Sequence, residues 1–171
     1  METWEAITSR RNVRSFAAEP IGEAHLDRIL EAGRRTPSAM NRQPWDFVVV
    51  TDRAQLERLA AVWQGAGHVA TSAATVALVS PVETDDRRRE LNQYDLGQAT
   101  MAMMVAATDL GIGTAHASVG EQDLARQLLG LPDDQFCAYL LALGYPADRP
   151  LKPIAQPGRR PFDEVVHRDR W

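Results

Sequence analysis

Ser9-Arg10-Arg11-Asn12-Val13-Arg14-Ser15-Phe16 is the stretch whose reading decides the fold. Three arginines within five residues follow a short segment carrying Trp4 and Ile7 and precede a turn signal at Pro20 to Gly22. If the run is extended, Arg10, Asn12 and Arg14 share one side, because strand side chains alternate with period two. Two guanidiniums on one face form a fork of donors suited to a phosphate or to an electron-rich carbonyl edge. A charge run alone is ordinarily a solvated turn. What weighs against that reading is a second cluster near the other chain end, Gly158-Arg159-Arg160-Pro161.

The surrounding composition narrows the partners. A chain of 171 residues is one ordinary domain or half of an intertwined dimer. With 44% hydrophobic and 25% charged residues it can build a core. The net charge of −4 argues against general nucleic-acid binding, so the arginine clusters are local features suited to a small anion. Cys137 is the only cysteine, which excludes a disulfide framework and a CxxC metal site. No apolar run is long enough to cross a bilayer and the N-terminus lacks a signal-peptide core, so a cytoplasmic protein with no membrane partner is expected.

Periodicity predicts a helix from Thr3 to Ser9, with Thr3 as N-cap and Trp4 and Ile7 turned inward. A second helix is predicted from Glu23 to Arg34, its stripe formed by Leu26, Ile29, Leu30 and Gly33. Pro37 to Pro44 reads as a loop closed by proline at both ends. Trp45 to Thr51 and Ala74 to Ser80 read as strands buried on both faces, with a helix from Arg53 to Trp63 between them. Glu90 to Leu110 is a long helix whose middle, Ala99 to Ala107, is apolar on nearly every side and so belongs in a core or a subunit interface. Gly111 to Gly113 ends it. A strand from Thr114 to Val119, a helix from Glu121 to Leu129 and a strand from Phe136 to Leu143 follow. Pro146 to Pro161 holds five of the ten prolines and should be an extended arm.

Five motifs occur in order: Arg10-Arg11-Asn12-Val13-Arg14-Ser15-Phe16, Pro37-Ser38-Ala39-x-Asn41-x-Gln43-Pro44-Trp45, Leu110-Gly111-Ile112-Gly113-Thr114, Leu143-Gly144-Tyr145-Pro146 and Arg159-Arg160-Pro161-Phe162-Asp163-Glu164-Val165-Val166. Together they resemble the FMN-dependent nitroreductase family in a compact form, over essentially the whole of residues 1–171. The resemblance implies a single α+β FMN-binding domain with a mixed, mainly antiparallel sheet flanked by helices, assembled as an intertwined homodimer. It implies that Arg10 and Arg159, with Arg160 close by, hold the FMN phosphate, and that Arg11 is among the cofactor-binding residues. Arg14 would reach the flavin N1/C2-carbonyl edge with Asn12 assisting. Pro37, Ser38, Ala39 and Asn41 would come from the partner chain, Gln64 would be a flavin-edge polar residue, and backbone amides at Ala117, Ser118 and Val119 would face N5.

The chemistry suits these residues. A guanidinium near N1 and C2=O favours the negative charge of the reduced ring. Hydride enters and leaves at N5, so no acid–base side chain is required, and no triad or metal spacing is present. His25, His68, His116 and His167 read as surface or packing residues, with His116 alone placed to line a substrate pocket. Gly111 and Gly113 make no dinucleotide fingerprint, so NAD(P)H would visit the open flavin face and leave before a nitroaromatic or quinone arrives. A specialised flavin enzyme of the same fold (dehydrogenation, dehalogenation or flavin breakdown) and a non-catalytic flavin-binding module are the alternatives.

Overall fold

The computed structural model describes residues 1–171. Ten elements alternate along it: α1 (Thr3–Ser9), α2 (Glu23–Arg34), β1 (Asp46–Val50), α3 (Arg53–Leu59), β2 (Ala74–Pro81), α4 (Asp86–Asp109), β3 (Gly113–Ser118), α5 (Gln122–Leu129), β4 (Gln135–Gly144) and α6 (Phe162–Val165). The strands form one sheet in the order β1-β2-β4-β3, and every strand pair is antiparallel. The single parallel contact is an isolated bridge between Asn12 and Thr114 on the outer edge of β3. The α+β class with a mainly antiparallel sheet is therefore realised.

Each face of the sheet carries its own core. Val76, Leu78, Leu141 and Leu143 pack with Ile29 of α2 and with Leu96, Met103 and Met104 of α4. On the other face Ala77, Val79, Leu140 and Ala142 pack with Leu56 and Leu59 of α3 and Ala125 of α5. The two central strands are consequently buried on both sides, and β2 is closed to solvent along nearly its whole length. β1 lies at the edge and is half exposed, unlike the doubly buried strand its apolar run predicts. Asp85 starts α4 by accepting from the Arg88 amide at 2.8 Å, four residues before the predicted start. α3 is also shorter than predicted: Ala60–Val62 tighten into a 3-10 turn and Trp63 swings outward. In α1 it is Ala6 and Ser9 that face in, whereas Trp4 is 75% exposed, which corrects the inward placement of Trp4 and Ile7.

Two glycines let the N-terminal arginine segment lie on this sheet. A Cβ on Gly113 would stand 2.5 Å from Cγ2 of Val13, which is wholly buried. A Cβ on Gly144 would stand 2.7 Å from Cδ1 of Phe16. The Val13 amide donates to the Thr114 carbonyl at 2.9 Å and the Ala17 amide to the Tyr145 carbonyl at 2.8 Å, so the segment behaves as a short extra strand. Ala147 returns the contact, its amide donating to the Ser15 carbonyl at 3.0 Å. No helix is long and apolar enough to cross a membrane.

The notch at Gly113 yields a stability prediction. Gly113→Ala should lower the unfolding free energy by about 1–3 kcal/mol, the ordinary range for overpacking a filled core. Adding Val13→Ala should recover part of that loss, as a shared contact requires. Urea unfolding of the two single variants and the double variant reads this, and strictly additive losses would contradict it.

Candidate functional site

The arginines divide by direction. Arg10, Asn12 and Arg159 line one cavity of about 700 Å³ together with Thr8, Met101, Met104, His116 and Ile154. Arg10 donates to the Asn12 side-chain oxygen at 3.3 Å, and Arg159 is held by its own Nη1 donating to the Pro157 carbonyl at 3.0 Å. Neither guanidinium has a carboxylate partner. Burial, and then the charge of Arg159, lower the pKa of Arg10 from its ordinary value. Two like charges pressed together without a counterion raise the energy of the free protein and leave a strong demand for an anion.

Arg11 and Arg160 are engaged elsewhere. Arg11 donates from Nη2 to Asp148 and to the Arg149 carbonyl, both at 2.7 Å, and so ties the proline-rich arm to the N-terminal segment. Its position on the other side of the extended run follows from the period-two alternation that unites Arg10 and Asn12. Arg160 donates to the Glu164 carbonyl at 2.8 Å and lies 3.5 Å from the Glu164 carboxylate, which closes the short α6 turn. Neither residue lines the cavity, and Arg159 is the tail arginine that lines it with Arg10.

Gln64 and residues 117–119 lie near one another at the far end of β3, whereas Arg14 belongs to the N-terminal segment. Arg14 lies on that segment between the bridge of Asn12 to Thr114 on β3 and the bridge of Phe16 to Pro146 after β4. Arg14 is exposed and makes no ion pair or hydrogen bond within the chain. The turn holding Gln64 is drawn to the end of β3 by the Val62 carbonyl, which accepts from Gly120 at 2.9 Å and from Glu121 at 3.0 Å. Trp63 covers this junction, for a Cβ on Gly120 would meet its ring at 2.8 Å. These bonds employ the amides after Val119 and leave the half-exposed Val119 N–H without a partner. Ser118 is exposed and Ala117 is buried, as alternation along β3 dictates.

None of Pro37, Ser38, Ala39 and Asn41 lines this cavity in its own chain. The loop at 37–44 is held stiffly against α4. The buried Asp95 carboxylate accepts from the Ala39 amide at 2.9 Å, and the Ser38 hydroxyl accepts from the Gln43 amide at 2.8 Å. Arg42 reaches Glu83 at 3.3 Å, and Asn92 donates to the same carboxylate at 3.4 Å. Met40, Asn41 and Gln43 all have φ near +50°, a conformation that non-glycine residues hold only where neighbours enforce it. Met40 is thereby thrust out, 84% exposed. Its left-handed backbone has no signature in the sequence.

A second cavity of about 760 Å³ adjoins the first through the shared residues Met101, Met104 and His116, and extends past Phe136 and Tyr139. The His116 ring meets Tyr139 edge-on with centroids 6.4 Å apart. Burial and the Arg10 charge lower the pKa of His116, so the imidazole is neutral around pH 7. Sequence reasoning named His116 but missed the methionines as lining, because a methionine stripe on a helix reads as core. Cys137 is buried and burial pushes its thiol up to about 12, so it is inert. No cluster of three His, Cys, Asp or Glu side chains has metal-site geometry.

Comparison with known proteins gives these features a family. The Nitroreductase family pattern matches residues 7–66 and 61–145. The chain belongs to the nitroreductase family. It is 31% identical to an oxygen-insensitive NADPH nitroreductase of Salmonella typhimurium, over 99% of this chain and 74% of that one. It is 28% identical to an NADH dehydrogenase of Thermus thermophilus, over 94% and 93%. Its fold matches an NADPH:FMN oxidoreductase from Vibrio harveyi, solved with NAD+, at a TM-score of 0.82 and 25% identity, covering 99% of this chain and 77% of that one. An FMN-dependent nitroreductase from Clostridium difficile matches at a TM-score of 0.85 and 20% identity, covering 97% and 98%.

The division of arginines can be tested without any ligand. Arg11→Ala should destabilise the protein and expose the arm at 147–161 to proteolysis, because its Asp148 partner and a backbone carbonyl both lose their donor. Arg10→Ala should leave stability unchanged or slightly raised, since it relieves the repulsion from Arg159. Limited proteolysis with thermal melts distinguishes the two, and equal losses would refute the division.

Proposed function

We propose that this protein is an FMN-dependent NAD(P)H oxidoreductase of the nitroreductase type, one domain per chain, assembled as a homodimer that reduces flat electron-poor acceptors such as nitroaromatics or quinones. The observation that carries this reading is the pair Arg10 and Arg159, two guanidiniums without carboxylate partners lining one cavity with Asn12. A phosphate monoester fits this donor set, because it supplies the missing charge and accepts fork-shaped hydrogen bonds.

Bound FMN supplies the two-electron carrier that takes hydride from NAD(P)H and yields it to the acceptor. The chain supplies the binding and the field. Arg10 and Arg159 grip the phosphate and Asn12 orients the adjoining ribityl chain. The Arg14 guanidinium, exposed and without a partner in the chain, would favour negative charge on the ring's pyrimidine side. The free Val119 N–H is the donor available to an N5 atom at the end of β3.

The dimer follows from α4. Met101 is 40% exposed, and its half-buried neighbours on the same helix, Ala102, Val105 and Ala106, are small and apolar. Such a face asks for a second subunit. A two-chain assembly also gives the rigid loop at Pro37, Ser38, Ala39 and Asn41 a site to enter, that of the partner. A cytoplasmic setting suits the single unpaired cysteine.

Purified protein should be yellow or take up FMN, and should oxidise NAD(P)H with a quinone present. Arg10→Ala should weaken FMN binding by about 2–3 kcal/mol, the scale of a charge-assisted contact. Unchanged affinity would overturn the assignment, and FMN binding without turnover would reduce the protein to a flavin carrier. Met101→Glu should convert the dimer to monomer in sedimentation and lower FMN affinity with it, whereas a folded wild-type monomer would reject the shared-site arrangement.

A further inference from the structure

His116 stands where the two cavities meet, and it is the only histidine on the wall of either. β3 turns it out of the core, yet the accessible ring faces a cavity rather than bulk solvent. The other ionisable groups on the two walls are Arg10, Arg159 and Tyr139, and no carboxylate is among them. Tyr139 meets the imidazole edge-on from β4, and the α4 side chains lining the same space, Met101 and Met104 among them, are uncharged.

Three separate parts of the chain bring this set together. Asn12 bridges to Thr114, two residues before His116 on β3, and Arg10 closes α1 two residues before Asn12. The proline-rich arm carries Arg159, and its Ile154 amide donates to the Thr8 carbonyl at 3.0 Å, which fastens the arm beside the end of α1. Arg10 bonds to Asn12 and Arg159 to the nearby Pro157 carbonyl, while no hydrogen bond or carboxylate bears on the imidazole. Two cations and a titratable ring thus share one cavity with no internal counter-charge. A site short of negative charge and rich in N–H donors suits a tetrahedral oxyanion.

We propose that His116 is a third ligand of that oxyanion: the ring is neutral while the cavity is empty, takes a proton from solvent when a phosphate or sulfate group enters, and donates an N–H to it. This deepens the flavin reading, on which it rests only for the identity of the molecule that carries the anion. In the free protein burial first, and the Arg10 charge second, hold the His116 pKa below that of a free histidine. A dianion on Arg10 and Arg159 offsets the second effect and adds its own attraction, so the pKa in the complex lies higher. Proton uptake therefore accompanies binding between the two values. Anion affinity rises as pH falls through the higher pKa and levels off below the lower one.

Sulfate is the first probe, because its charge is constant across the imidazole range, whereas a phosphate monoester loses charge near about pH 6. Histidine NMR of the wild-type apoprotein should show a His116 midpoint that moves up when sulfate is added. In Arg10→Ala the midpoint should be raised without sulfate and should respond less to it. Calorimetry between about pH 5 and 8, which spans the imidazole titration, should find sulfate bound about tenfold more tightly at the acid end, the equivalent of a one-unit shift. His116→Gln keeps a neutral N–H donor, so it should retain the high-pH affinity and lose most of that gain. A His116 midpoint indifferent to sulfate overturns the proposal, as does an equal gain in His116→Gln. The NMR titration uses wild-type protein, so a variant that fails to fold leaves the proposal open to refutation. FMN separates the two readings. Sulfate-linked protonation of His116 in a protein that binds no FMN keeps the third ligand and removes the flavin reading. FMN bound by a protein whose His116 ignores sulfate does the reverse.

Discussion

The structure depends on how closely the N-terminal segment can approach the sheet. Val13 and Phe16 sit where any side chain on Gly113 or Gly144 would have to be. Those glycines allow the backbone of residues 12–17 to bond with Thr114 and Tyr145, and the bonds set its register. Register then decides function. A shift by one residue would turn Arg11 to the cavity and Arg10 to the arm. The same contact recruits the other end of the chain, because Arg11 and Ser15 hold residues 147–149 and the Thr8 carbonyl accepts from the Ile154 amide at 3.0 Å. The cavity is thus built from chain ends that a hydrophobic core alone would not bring together.

That construction explains the mixture of satisfied and unsatisfied arginines. Arg11, Arg42 and Arg53 each meet an oxygen acceptor and fasten loops to the core. Arg10, Arg14 and Arg159 meet no carboxylate, though the chain carries 23 acidic residues and could have supplied one. Leaving them unpaired costs stability in the free protein and gains electrostatic complementarity toward a ligand, the usual trade between folding and function. The rigid loop at 37–44 shows the same trade in its backbone, with left-handed residues held by Asp95, Ser38 and Glu83.

Much of this was legible because burial and period agree. The bounds of α2 and the run of β2 follow from apolar spacing, and the arm lacks regular structure up to Pro161 as its prolines require. The pairing of Arg10 with Asn12 follows from alternation, and the family resemblance added Arg159. What could not be read is what depends on tertiary partners. Trp4 and Ile7 look like core because they are apolar, yet α1 buries its small residues instead. The apolar run of β1 does not reveal that it lies at a sheet edge. Nothing local distinguishes Arg159 from Arg160, since the choice depends on which one Glu164 captures. The cavity-lining methionines were hidden for the same reason: a helix stripe does not say which part of it is roofed.

The long helix ties the cavity to the loop at 37–44. α4 has one side in the sheet core through Met103 and Ala107, another beside the cavities through Met101 and Met104, and a more polar N-terminal half that grips the loop at Ala39 through Asp95. A displacement of this helix therefore moves the cavity wall and the loop together. If the exposed apolar face of α4 packs on a second copy, subunit contact fixes the helix, the helix fixes both the wall and the loop, and the loop is presented outward, away from its own cavity. Association and site assembly become one event, and the strained backbone at Met40 and Asn41 is tolerable because the structure that enforces it is the structure that must form for the site to exist.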